Sequence, residues 1–164
     1  MKSKKLLLLS GAIVVLFSIS FLVYSQINTQ NSNTITQAEF VNTLIRVLGL
    51  DDQLPPAATL MNKVALLESL GYAPLGRWSL ESILTKGDAA VVIVQILGIT
   101  VPAGTGADGY VQALADLGIM TPGGSGSPLS PQDLENSINA AASYSVSKGT
   151  NVIQPYRLPA SPTR

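Results

Sequence analysis

The side chains that most often do chemistry in proteins are missing from this chain of 164 residues, which contains neither histidine nor cysteine. That removes the commonest general base, the commonest metal ligand and the thiol nucleophile together. It also removes disulfides, thiolate metal sites and an acylation cysteine. Four constellations remain. Gly104-Thr105-Gly106-Ala107-Asp108-Gly109 fits the Gly-x-Gly-x-x-Gly spacing of a dinucleotide loop. Such a loop needs a strand before it, a helix after it and an acid about 20 residues on. Here Gly98 and Pro102 break the chain in front and the nearest later acid of that kind is Asp133, so a flexible loop is expected. Tyr144 and Lys148 have an oxidoreductase-like spacing but close a helix with no nucleotide fold around them, which makes the spacing a coincidence. Asp51, Asp52, Asp108 and Asp116 lack the Asp-x-Asp-x-Asp-Gly spacing and the bidentate Glu of a calcium loop, and read as solvated loop charges. Arg77-Trp78 has two readings: a platform that stacks on a sugar or forms a cation–π pair, or a tryptophan that plugs the core. Paired carboxylates of glycosidase type need a cleft for which a body of about 140 residues has little room. Binding, not catalysis, is expected, with no cofactor and no metal.

The elements that must position these residues begin with an export signal. Lys2, Lys4 and Lys5 precede Leu6–Tyr24, a run of 19 residues without a charge. Basic residues before such a run hold that end in the cytoplasm and send the remainder across the membrane. Two fates stand open. Cleavage after Ser25 would make residues 1–25 a signal peptide, although the run exceeds the usual ~7–15 residues. Retention would make it a transmembrane anchor, which needs roughly 17–25 apolar residues. Residues 26–34 read as a polar linker. From Gln26 onward seven basic residues face ten acidic ones, without the clustered Lys and Arg that nucleic acid demands. Apolar residues make up 46% of the chain and charged ones 12%, enough to build a core and too little charge for ordinary disorder.

A pattern recurs three times in the body. Ile35-Thr36-Gln37-Ala38-Glu39-Phe40, Leu84-Thr85-Lys86-Gly87-Asp88-Ala89 and Leu129-Ser130-Pro131-Gln132-Asp133-Leu134 share one layout. In each, the hydroxyl of Thr36, Thr85 or Ser130 caps a helix by accepting from the N3 amide. The carboxylate of Glu39, Asp88 or Asp133 reaches back to the cap amide. Ile35 with Phe40, and Leu129 with Leu134, fall at hydrophobic-staple positions, and Pro131 takes the first helical position that proline favours. After the caps, Leu44 through Leu50 match Ile93 through Ile99. Gly49 and Gly98 sit where a left-handed helix end is wanted, since glycine lacks the Cβ that resists that geometry. Shorter helices are expected over Thr59–Leu70 and Gly109–Leu117. The run Val91–Ile99 reads as helix from its cap and Gly98, with a buried strand as the alternative. The fold expected is all-α: about five helices in helix-loop-helix repeats over residues 35–147, then an extended Pro-containing tail over 148–164.

Thr36-Gln37-Ala38-Glu39-Phe40, continuing to Leu44, Arg46, Leu48 and Gly49, resembles the Thr-Arg-Ala-Glu-Phe-like helix start of the S-layer homology (SLH) module of bacterial envelope proteins. Gly76-Arg77-Trp78 is similar to the Gly-x-aromatic that this family places before the threonine. The resemblance spans Ile35 to Ser143. It implies a pseudo-threefold helical bundle that anchors proteins to cell-wall polymer, with Gly76, Arg77, Trp78 and Lys86 as the contact residues. The family's motif arginine is replaced by Gln37 and Pro131, and Lys86 alone keeps a positive charge. The partner implied is therefore wall polymer or, with polymer binding lost, another protein of the envelope.

Overall fold

Each helix of the body starts where a hydroxyl or a glycine interrupts an extended backbone. In the computed structural model, which describes residues 33–156, Thr36 caps α1 (Gln37–Val47), Thr59 caps α2 (Leu60–Ser69) and Thr85 caps α3 (Lys86–Leu97). Gly106 precedes α4 (Ala107–Asp116) and Ser130 caps α5 (Pro131–Ser147). A single 3₁₀ turn, Asp51–Gln53, follows α1. The described residues contain five α-helices and no strand, so the chain is all-α there. The export run and the linker residues before Asn33 lie outside the described residues. No helix among the described residues is long and apolar enough to cross a membrane.

The expected caps at Thr36–Glu39 and Thr85–Asp88 form reciprocally. The Thr36 hydroxyl accepts from Glu39 N–H at 3.2 Å while Thr36 N–H donates to Glu39 Oε2 at 2.7 Å. The corresponding distances at Thr85 and Asp88 are 3.2 and 3.3 Å. The third cap departs from expectation. Ser130 Oγ accepts from Asp133 N–H at 3.1 Å, but the Asp133 carboxylate takes its bond from the Ser130 hydroxyl, at 2.7 Å, instead of reaching the cap amide. A fourth box, unanticipated, joins Thr59 to Asn62, whose carboxamide oxygen plays the acid's part.

All five helices end alike. In α3, Gly98 turns left-handed at φ 61°. Its N–H bonds Gln95 O at 3.2 Å, and Ile99 N–H reaches Val94 O at 3.1 Å. These two bonds occupy carbonyls that the helix end leaves open. The same arrangement recurs at Gly49, Gly71, Gly118 and Gly149. Val91–Leu97 is thus helix, not strand, and α3 is buried nearly all round, from Ala89 to Val94. A helix apolar on every face belongs at the centre. Accordingly α3 packs against α4 and meets α5, while α1 packs against α2. Phe40, Leu44, Leu67, Leu84, Ile93, Leu114, Leu129 and Ile138 fill the core they share.

Extended residues ahead of each cap stitch the copies together. Leu84 N–H donates to Ile35 O at 2.8 Å and Leu129 N–H to Leu84 O at 2.9 Å. Thr36 pairs antiparallel with Ile83, and Thr85 with Pro128. The open amides of the helix starts join in. Gln37 N–H donates to Ser82 O at 2.9 Å and Ala38 N–H to Leu80 O at 3.2 Å; Lys86 N–H donates to Ser127 O at 2.9 Å and Gly87 N–H to Ser125 O at 2.8 Å. One cap segment therefore satisfies the helix start of the copy before it, and two seams repeat the same geometry.

Two expectations need correction. The fourth helix starts at Ala107, not Gly109, because Gly106 adopts the extended cap backbone and Asp108 is anchored by Ser125. The tail residues after Lys148 that are described, 149–156, are not free, and the rest of that tail lies outside the described residues. Ile153 and Tyr156 are buried, at 3% and 7% exposure, against a bundle expected to end at residue 147.

Candidate binding surface around Trp78

Trp78 sits between the core and the surface because of what lies on either side of it. Inward, its ring meets Phe40 at 6.2 Å between centroids, tilted by 50°, and Phe40 is fully buried. Outward, it borders a groove of about 330 Å³ whose other walls are Met61, Val64 and Glu68 of α2 together with Arg77 and Leu80. Met61, Val64 and Glu68 share a helix face through their spacing of three and four residues. Met61 remains 64% exposed. Trp78 thus packs on the core through Phe40, as one sequence reading expects, and also borders a groove. The Arg77 guanidinium does not stack on it; among the described residues the cation–π pairs are Arg46 over Tyr156 and Lys148 over Tyr144.

The Trp78 indole N–H is buried and lacks a hydrogen-bond partner. A buried donor left in that condition costs about 1–3 kcal/mol. Gly76 and Arg77 are exposed in the loop that delivers Trp78.

Lys86 does not join this groove. Its ammonium donates to Thr121 O at 3.3 Å, Thr121 Oγ1 at 2.9 Å and Pro122 O at 3.3 Å, in the loop before the third cap. Gln37, the equivalent residue of the first copy, behaves likewise. It is 5% exposed; its amide donates to Asp88 Oδ2 at 3.2 Å and accepts from Ser79 N–H at 2.8 Å. Both first-turn residues brace a seam. Thr36, Glu39, Thr85, Asp88, Ser130 and Asp133 serve as helix caps.

The other constellations resolve as local structure. Gly104–Gly109 forms a turn with Thr105 Oγ1 donating to Pro102 O at 2.6 Å, and Gly109 lies inside α4. Asp108 is held below the ordinary carboxylate value of 3.8 by the backbone N–H and then the hydroxyl of Ser125, although the group is exposed. Lys148 lies 5.5 Å from the centre of the Tyr144 ring, which gives their spacing a packing role at the end of α5. No group of three or more metal-binding side chains gathers among the described residues. The residues that sequence reasoning missed are Met61, Glu68 and Leu80. For the first two a signal existed in the helical spacing of Met61, Val64 and Glu68. Comparison with known protein families, curated proteins and solved structures finds no match.

Proposed function

We propose that this chain is a non-catalytic module of the cell envelope, an SLH-like bundle of helix-loop-helix repeats that binds wall polymer, peptidoglycan or polysaccharide, through the Trp78 groove. One observation supports the reading: an open groove walled by the Trp78 ring that also bears Arg77, Glu68 and exposed Met61, with the indole N–H buried and partnerless behind it. An aromatic wall with a neighbouring guanidinium suits a sugar ring with an acidic substituent. The absence of histidine and cysteine agrees with a binding role. The basic start and apolar run of residues 1–24 deliver the body across the membrane, as a cleaved signal or as an anchor.

The test is co-sedimentation of the full chain with purified wall sacculi. Wild type is retained, and Arg77→Ala and Trp78→Phe each lower retention severalfold, the latter keeping an aromatic ring against Phe40 while deleting the N–H. A wild-type chain left in the supernatant removes the wall-binding reading.

A second reading is supported by Gln37 and Lys86, both committed to internal bonds at the position where the SLH family places its anion-binding arginine. On that reading the same groove docks another envelope protein. Crosslinking in intact envelopes separates the two: one protein adduct through the Trp78 face supports docking, and recovery with wall material supports polymer binding.

A further inference from the structure

The seam between α1 and α5 is closed differently from the other two. Among the described residues no cap segment stitches it; instead residues 152–156 lie in it as an extended strap. Gln154 N–H donates to Val47 O at 2.8 Å. The Asn139 carboxamide grips the backbone of Tyr156 at both polar atoms, donating to its carbonyl at 2.9 Å and accepting from its N–H at 2.8 Å. The Tyr156 ring is covered by the Arg46 guanidinium at 5.9 Å.

Three features set this apart from an ordinary docked terminus. The grip of Asn139 on a backbone N–H and C=O copies what a neighbouring strand offers to an extended backbone, leaving the side chains to set which segment fits. The groove is also larger than its occupant. A cavity of about 290 Å³, walled by Ile35, Arg46, Pro131 and Tyr156 among others, adjoins one end, and another of about 430 Å³, bordered by Val146, Ile153 and Pro155, adjoins the other. Finally, the strap hangs from a tight reversal. Gly149 at φ 73° and Asn151 at φ 43° turn the chain back along α5, and Asn151 is the non-glycine residue with positive φ among the described residues.

We propose that this seam is a peptide-binding groove, occupied in cis by residues 152–156, that accepts in trans an extended protein segment bearing a branched aliphatic residue and, three positions on, a tyrosine. Ile153 and Tyr156 define that spacing, and the strap acts as the competitor the incoming segment must displace. The groove is built from α1 and α5, not from α2, so it stands whether or not Trp78 binds polymer.

The probe is a fluorescent peptide with the sequence of residues 151–156, titrated into the full chain. Weakening the strap by Tyr156→Ala raises the apparent affinity for the peptide about tenfold over wild type, because the competent open state becomes more populated. Adding Asn139→Ala to that variant abolishes the gain, and a peptide with alanine in place of its tyrosine fails to bind either chain. Equal affinity for wild type and Tyr156→Ala, or no binding to a Tyr156→Ala chain whose circular dichroism is native, overturns the proposal. A measurement on wild type alone keeps it testable if that variant unfolds. The amides of Gln154 and Tyr156 exchange hydrogen about tenfold faster than those of buried α5 residues such as Ile138, by local opening. Exchange of strap and helix only in step overturns it.

Discussion

The two stitched seams use the same scaffold with different chemistry at corresponding positions. In the first, Gln37 and Ala38 begin the helix; in the second, Lys86 and Gly87 do. Gln37 spans the seam with a neutral, two-sided amide that joins Ser79 to the next cap acid, Asp88. Lys86 reaches further along its loop with a three-donor ammonium. One residue on, the amide-to-carbonyl distance is 3.2 Å at Ala38 and 2.8 Å at Gly87. The tighter approach has a steric cause. A Cβ on Gly87 would lie 2.9 Å from Ser125 Cβ, 3.0 Å from Ala107 Cβ and 3.0 Å from Ser125 O. The lesson is that the first helical position acts as a brace, whether its side chain is charged or neutral. A cationic residue there is not by itself a binding site.

Substitutions sharpen the comparison, and the largest effect is expected where both seams meet. Leu84 is fully buried and its backbone belongs to both stitches. Leu84→Ala therefore loses about 2–5 kcal/mol in urea unfolding, because the cavity is shared. Gly87→Ala is next. Its methyl group meets backbone and Cβ atoms that cannot rotate away, so about 1–3 kcal/mol is lost, whereas the reverse change Ala38→Gly in the roomier seam costs about 1 kcal/mol or less. If the two changes prove equal, the seams do not differ in tightness.

Gln37→Ala costs about 1–3 kcal/mol by leaving polar partners unpaired at a buried site, and Lys86→Ala about 0.5–1.5 kcal/mol at a half-exposed one. Chemical denaturation of both variants checks the order, and a costlier Lys86 change would reverse the assignment of the stronger brace. The smallest effect is electrostatic. The folded pKa of Asp108 lies below the ordinary 3.8, so its contribution is fully present above that value. It is lost as pH falls through the folded value, where the native state must take up a proton that the unfolded chain has already bound. Melting curves below about pH 4 should converge for wild type and Asp108→Asn, while above it wild type melts slightly higher.

What the sequence made legible was local. The caps at Thr36 and Thr85 and the glycine helix ends depend on residues within one or two turns, and the helical character of Val91–Leu97 followed from them. The half-formed box at Ser130 was harder, because Thr85–Asp88 and Ser130–Asp133 spell the same motif, yet only the first carboxylate also reaches its cap amide. The Thr59 box was overlooked because Asn62 carries no charge, though its spacing was there to be read. The seams were invisible for a different reason: the partners of Gln37, Ser79 and Asp88, stand 42 and 51 residues away. Likewise Ile153 and Tyr156 sit in a Pro-containing stretch without periodicity, and only the surface already shaped by α1 and α5 gives them a place to be buried. At the candidate surface, Arg77 and Trp78 were legible as types. Lys86 was grouped with them on charge alone, and the groove's α2 wall required the fold.

Proline at the first position of α5 has one more consequence. Gln37 and Lys86 each offer a backbone N–H there to the extended segment of the following copy, and Pro131 has none to offer. A stitch of the kind made at the other two helix starts is therefore missing its first rung at α5.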